Sequence, residues 1–461
     1  MANDAFHIYD TTLRDGAQQE GLNLSVHDKL VIARHLDELG VGFIEGGWPG
    51  ANPKDTEFFK RAQTELKLKN ATFVAFGATR RPNVKAGDDP LLKALADSGA
   101  PVVTLVAKSH DRHVDLALKT NLDENLAMIK DSIKFLRANG QRVFLDAEHF
   151  FDGYKSNRAY AIEVVRASVE AGADVVALCD TNGGMLPDEL TQIVSDVLAT
   201  TSSRLGIHCH NDTGCAVANS LAAINAGVTH VQGTLNGYGE RTGNADLVSI
   251  IANLELKKKK KVLPDGALRE AFRISHAVAE VTNVAPSARQ PYVGISAFAH
   301  KAGLHASAIK VDPAMYQHED PAEVGNDMRM LVSDMAGRAS IVSSRRTASR
   351  HSRACATSAR RRACSRARPT SACGSTSNSA IWAKFFTSAQ CPNCSASSAC
   401  RTACCASVRA SRSNAPGPRS SNARPSCAKS PCVSHRRRCG MRARSRAISP
   451  TARRSAMARP F

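Results

Sequence analysis

Eight short apolar runs recur through residues 6–237. They read FHIYDTTLR (6–14), VGFIEGGWP (41–49), ATFVAFGAT (71–79), PVVTLVAKS (101–109), RVFLDAEHF (142–150), DVVALCDT (174–181), RLGIHCHND (204–212) and THVQGTLNG (229–237). Each has the length of a strand and carries β-branched or aromatic residues. Between them lie stretches whose apolar positions return every three to four residues. Examples are SVHDKLVIARHLDELG (25–40), NLDENLAMIKDSIKFLRANG (121–140), RAYAIEVVRASVEAG (158–172) and VANSLAAINAG (217–227). These predict helices, and all four close on Gly, the residue that best accepts the left-handed turn past a helix end. Strand then helix, eight times over, predicts the α/β class and a (β/α)8 TIM barrel. The competitor is a doubly wound sheet. That fold more often places a glycine-rich fingerprint after its first strand, and here the turn reads LRDGAQQEG.

A barrel puts its chemistry at the C-terminal ends of its strands, and polar residues stand there. The first run ends in Arg14 and Asp15, the fifth in Glu148 and His149, the sixth in Asp180, Thr181 and Asn182. The seventh carries His208, His210, Asn211 and Asp212, and the eighth runs into GTLNGYGERTGNA. His208 and His210 are two apart on a strand, so both face the same side. Two imidazoles at a barrel mouth are a metal-ligand pair or two satisfied core histidines. Asp15 favours the first reading, because a buried carboxylate needs a cation. Asn244 can add an oxygen. Two nitrogens plus oxygens suit Mg, Mn, Co or Zn with open positions.

Such an ion can chelate a 2-oxo acid and act as a Lewis acid on its carbonyl. Arg14 is placed to bind substrate and stabilise a developing enolate or alkoxide. Glu148 takes part in proton transfer or holds a structural salt bridge. Thr181 donates to a substrate carboxylate or caps the following helix. The glycines at 237, 239 and 243 are spaced GxGxxxG after the last strand, which reads as close backbone packing around Asn244 rather than a dinucleotide loop.

DTTLRDGAQ, HCHND and GTLNGYGERTGNA resemble the metal-dependent acyl-CoA aldol enzymes with an Asp-Arg-Glu site in a TIM barrel. That group includes 2-isopropylmalate, homocitrate and citramalate synthases and 3-hydroxy-3-methylglutaryl-CoA lyase. IEGGWPGANPKDTEFF, DAEHFFDGYKSN and FAHKAGLHASAI resemble the longer (R)-citramalate synthase type. The resemblance covers about residues 6–341. It implies a catalytic barrel over 1–262, a helical linker region over 263–341 and a regulatory domain beyond. It implies Asp15, His208, His210 and Asn244 as metal ligands and Arg14 and Glu148 as catalytic groups. His305 in KAGLHASA would reach an active site from the neighbouring subunit of a homodimer, with Tyr316 as a weaker match. The implied reaction condenses acetyl-CoA with pyruvate and hydrolyses the thioester, giving (R)-citramalate and CoA on a route to isoleucine. A 2-isopropylmalate synthase, another 2-oxo acid acyltransferase and an aldol lyase are the alternatives.

Charge changes the picture only beyond this region. The chain has 461 residues and a net charge of +19. Residues 1–334 hold 35 Lys+Arg and all 42 Asp+Glu, a net of −7, whereas residues 335–461 hold 26 Lys+Arg and no acid. The second part is a low-complexity run of Arg, Ala, Ser and Cys without helical or strand period, so it is expected to be disordered. Non-specific nucleic-acid binding through this tail, with Trp382, Phe385 and Phe386, is the reading from a different class. The abrupt change near residues 341–344, where a linker and regulatory domain should continue, instead suggests a shifted reading frame. Translating the other two frames downstream tests that. LKKKKKV (256–262) reads as a solvated loop. Only three of 14 cysteines precede residue 335, which fits a reduced, cytoplasmic enzyme. The N-terminus lacks a basic region followed by an apolar one, so no secretory leader is expected, and no apolar run is long enough for a membrane span.

Overall fold

In the computed structural model, which describes residues 4–331, the eight apolar runs form eight parallel strands closed into a barrel. They are β1 (His7–Asp10), β2 (Phe43–Glu45), β3 (Thr72–Ala78), β4 (Val102–Lys108), β5 (Arg142–Glu148), β6 (Val175–Asp180), β7 (Leu205–Cys209) and β8 (His230–Gly233). Closure joins β1 to β8, with His7 opposite His230 and Asp10 opposite Gly233. Parallel neighbours need a crossover, and helices supply it. The expected tail at 342–461 lies outside the described residues.

Local sequence sets the helix limits. Helix Val26–Leu39 starts at Ser25, whose hydroxyl accepts from the Asp28 N–H (3.2 Å), while Asp28 accepts from the Ser25 N–H (2.8 Å). This reciprocal pair satisfies two donors that a helix start otherwise leaves unmet. The helix stops at Gly40, with φ 90°. Helices Pro53–Glu65, Pro90–Ala96 and Pro187–Thr201 each open on proline, whose fixed φ suits a first turn. Two short helices, Asp111–Leu116 and Phe150–Ser156, stand in the loops after β4 and β5. At six and seven residues they are too short to print a helical period.

The barrel interior is layered. Its N-terminal end is ringed by His7, Phe43, Phe144 and His230, with ring centroids 4.7 Å (His7–Phe43), 5.3 Å (Phe43–Phe144) and 5.3 Å (Phe144–His230) apart. The middle is polar. Tyr9, Glu45, Thr104, Asp146 and Gln232 are all buried there, and the Tyr9 hydroxyl bonds Glu45 (2.5 Å) and Thr104 (2.7 Å).

Beyond β8, helix Leu247–Ala252 runs into a wider turn, Asn253–Lys257, and the lysine run. Lys257, Lys258, Lys259 and Lys261 are exposed, as a solvated stretch should be. Helix Ala271–Thr282 packs on helix Val26–Leu39. The region expected to be a helical linker is mixed: Ala299–His300 pairs with Arg329–Met330 as a short parallel ladder beside helix Gly303–Val311. Ala306, Ile309 and Met330 form a small core of their own there. Among the described residues no helix is long and apolar enough to cross a membrane.

Candidate active site and metal centre

The C-terminal strand ends converge on a cavity of about 280 Å3. Arg14, Asp15, Asp146, Glu148, Thr181, His208 and His210 all line it. Asp15 follows β1, His208 lies on β7, and His210 stands just past it. The His208 Nε2 is 3.1 Å and the His210 Nε2 3.7 Å from one Asp15 oxygen, and the two Nε2 atoms are 3.3 Å apart. One ligand atom from each residue lies within 4.8 Å of the others, so this buried group could hold a metal ion. Burial works against the charge on Asp15, but Arg14 and His208 outweigh it and hold the carboxyl well below the usual range. Burial also disfavours the His208 imidazolium, and Asp15 reverses that and raises its pKa. His210 is lowered to about 4, by burial and then by His208.

Asn244 bridges His210 through the backbone, and its side-chain oxygen is buried without a hydrogen-bond partner. Its amide nitrogen donates to Tyr238 O (3.0 Å), which leaves that oxygen as the free acceptor. The glycines around it do what their spacing suggests. A side chain at Gly239 would strike the Asn244 amide, and one at Gly243 the Gly237 carbonyl. The donor set of one carboxylate, two imidazoles and one amide oxygen fits a divalent cation.

Arg14 is held from three sides. Its guanidinium is ion-paired with Glu45 at the end of β2, stands 3.7 Å from Asp15, and lies 3.8 Å above the Phe76 ring. Burial opposes its charge, but Glu45 and Asp15 more than offset that, so Arg14 stays protonated. Glu148 is ion-paired with Lys108, its partner in the β4–β5 register. Thr181 does not cap a helix, since the next one begins at Pro187. Its hydroxyl oxygen instead accepts from the His149 N–H (2.9 Å), which leaves its own O–H to donate elsewhere. His149 adopts φ 56° to make that turn, a conformation that costs a non-glycine residue about 1–2 kcal/mol. At the mouth, Arg241 donates to the Thr181 carbonyl (2.8 Å) and to Asp212 (2.8 Å).

Glu45, Lys108, Asp146, Gln232 and Arg241 were not singled out by sequence pattern. Gln232 sits opposite His208 in the β7–β8 register. Its side-chain oxygen is 2.9 Å from His208 Nδ1, and an amide oxygen can only accept. His208 therefore carries a proton on Nδ1, and Nε2 is the nitrogen turned to Asp15. The Gln232 nitrogen donates to Asp146 (2.7 Å) and contacts His230 (3.3 Å). His230 meets His7 (3.1 Å), and His7 meets Asp4 (3.2 Å). A polar column thus runs the length of the barrel. His305 and Tyr316 stack at 4.1 Å, but neither lines the cavity.

Burial first, and Glu45 second, push Asp146 up to about 7. An acid whose folded pKa exceeds its unfolded one penalises the fold as pH rises. The penalty is absent below about pH 4, grows to about pH 7 and then levels off. Asp146→Asn mimics the protonated form. Its stability relative to wild type, followed by urea unfolding, should rise across pH 4–7 and plateau above. A flat difference would mean the carboxyl is ionised in the fold.

The HMGL-like family model matches residues 5–278, and the homocitrate synthase post-HMGL domain-like model matches residues 292–355. An (R)-citramalate synthase of Streptomyces coelicolor is 69% identical over 339 residues, 74% of this chain and 64% of that protein. The chain thus spans under two thirds of that relative's length. A homocitrate synthase of Methanopyrus kandleri is 34% identical over 74% of this chain and 82% of its own. The crystal structure of hydroxymethylglutaryl-CoA lyase from Pseudomonas aeruginosa shares the fold, with TM-score 0.51 and 21% identity over 62% of this chain and 96% of that one. By its barrel and by the extent of these matches, the chain belongs to the HMGL-like family.

Proposed function

We propose that the chain condenses acetyl-CoA with pyruvate and hydrolyses the resulting thioester, releasing (R)-citramalate and CoA. The observation that carries this is the buried group of Asp15, His208 and His210 beside a half-buried, charged Arg14, with the unmet Asn244 oxygen on the residue whose backbone is bridged to His210. A divalent cation held by those four residues would polarise the ketone of a 2-oxo acid. The acetyl methyl loses a proton, its carbon attacks the ketone carbon, and the new alkoxide is protonated. Arg14 faces that growing negative charge. The Thr181 hydroxyl donates to the acceptor's carboxylate. Glu148, ion-paired with Lys108, handles protons at its carboxylate. Phe76, Val106 and Cys179 give the cavity an apolar wall that suits a methyl group. His305 and Tyr316 belong to the linker region over 263–341 and would act across a homodimer. The free thiols of Cys179, Cys209 and Cys215 suit the cytoplasm.

The test is CoA release with pyruvate, 2-oxoisovalerate and 2-oxoglutarate in turn. Pyruvate should be preferred, and preference for another acceptor overturns the substrate assignment. Gln232 acts through His208, so Gln232→Leu should weaken Mn2+ binding about 10- to 100-fold. An affinity within twofold of wild type would remove that role.

A further inference from the structure

Tyr9 on β1, Glu45 at the end of β2 and Thr104 on β4 are fully buried in the middle of the barrel, and none of the three lines the cavity. Tyr9 spans the interior to reach Thr104, because β1 and β4 are not neighbours in the sheet. A phenylalanine would fill the same space with no buried hydroxyl to satisfy.

Proton counting gives the direction of each hydrogen bond. Burial first, and then the Glu45 charge, push the Tyr9 phenol well above its usual range, so it keeps its proton. An ion-paired carboxylate only accepts, so that proton goes to Glu45 (2.5 Å). The phenol oxygen is then left to accept, and the Thr104 hydroxyl donates to it (2.7 Å). The line runs from Thr104 through Tyr9 and Glu45 to the Nε of Arg14. Glu45 thus uses its two oxygens separately, one for Tyr9 and the other for Arg14. A carboxylate with both oxygens free readily takes an arginine as a two-pronged fork. Tyr9 occupies one prong, which leaves the terminal amino groups of Arg14 to the cavity that this residue lines.

We propose that Tyr9 and Thr104 are positioning residues for the condensation: together they fix the Glu45 carboxylate so that it holds Arg14 by Nε and turns its terminal amino groups to the cavity. The inference rests on the reaction proposed above, in which Arg14 faces the growing alkoxide. Both residues act through Glu45. Losing the Tyr9 hydroxyl would free a buried oxygen of Glu45, and its nearest relief is to grip Arg14 with both prongs and draw it back from the reacting atoms.

CoA release by the whole chain at saturating acetyl-CoA and pyruvate tests this, with Mn2+ affinity measured alongside. Tyr9→Phe should lower kcat about tenfold and leave Mn2+ affinity within twofold of wild type. Thr104 separates bonding from packing. Thr104→Val keeps the branched shape and loses the donor, whereas Thr104→Ser keeps the donor and loses a methyl group. kcat should fall about three- to fivefold in Thr104→Val and stay within twofold of wild type in Thr104→Ser. A merely structural role sorts the pair the other way, with Ser the poorer replacement. The Thr104 pair decides the matter if Tyr9→Phe disturbs folding. Unchanged kcat in Thr104→Val, or a lower kcat in Thr104→Ser than in Thr104→Val, would overturn the positioning role and leave the proposed reaction standing. A wild-type chain that releases no CoA would overturn the reaction and this role with it.

Discussion

Replacing Arg14 with Met should lower the rate of CoA release about 10²- to 10³-fold and destabilise the fold by about 3–5 kcal/mol. The two losses have separate causes. The first follows from the proposed role of Arg14 as the cation facing the alkoxide, in a site where burial strengthens every charge interaction. The second concerns Glu45. Its side chain is 0% exposed and its ion-pair partner is Arg14. Tyr9 donates one hydrogen bond to it, but a buried carboxylate stripped of its cation is costly. The double variant Arg14→Met with Glu45→Gln separates the effects: stability should largely return while activity does not. Urea unfolding and thiol detection of released CoA measure the two. A single variant that loses activity but less than about 1 kcal/mol would show that Glu45 finds compensation elsewhere.

His208→Ala should abolish measurable Mn2+ binding and lower CoA release by on the order of 10³-fold or more, since a bound cation supplies several kcal/mol to such a reaction. Removing the imidazole takes away Nε2, the closest of the histidine contacts to Asp15. The competing view, in which His208 and His210 are only satisfied core residues, predicts something different. Under it, the substitution would leave a small cavity and cost stability, while wild-type activity would survive a chelator. Treating the wild type with EDTA and then adding back Mn2+ distinguishes these views without any substitution. Undiminished activity in EDTA would sink the metal reading.

The fold was legible because buried parallel strands read as unbroken apolar runs, and because Gly40, Gly140, Gly172 and Gly227 mark helix ends in the sequence. His208 and His210 were legible because their spacing of two is the period of a strand. Asp15 stood out as an acid beside an arginine at a strand end. Glu45 was not legible, since one acid in FIEGG carries no pattern. Its meaning appears only when the closed sheet sets β2 beside β1 and brings it to Arg14. Gln232 is hidden for a similar reason: its importance is a register match with a strand some 24 residues earlier. Lys108 pairs with a residue 40 positions away. The Ala299–His300 ladder has two residues per strand, too few for any alternation to show.

In a TIM barrel the two ends usually divide their labour, with chemistry at the C-terminal face and stability at the other. The column from His208 through Gln232, His230 and His7 to Asp4 joins the two ends here. A change on the far face at His7 need not touch the cavity to be felt there, because it removes a partner of His230, which in turn meets the Gln232 amide that holds His208. Residues that look like plain scaffold are in this chain linked by polar contacts to His208. Exchanging the floor of the barrel for that of a relative therefore also changes the electronic setting of the site above it.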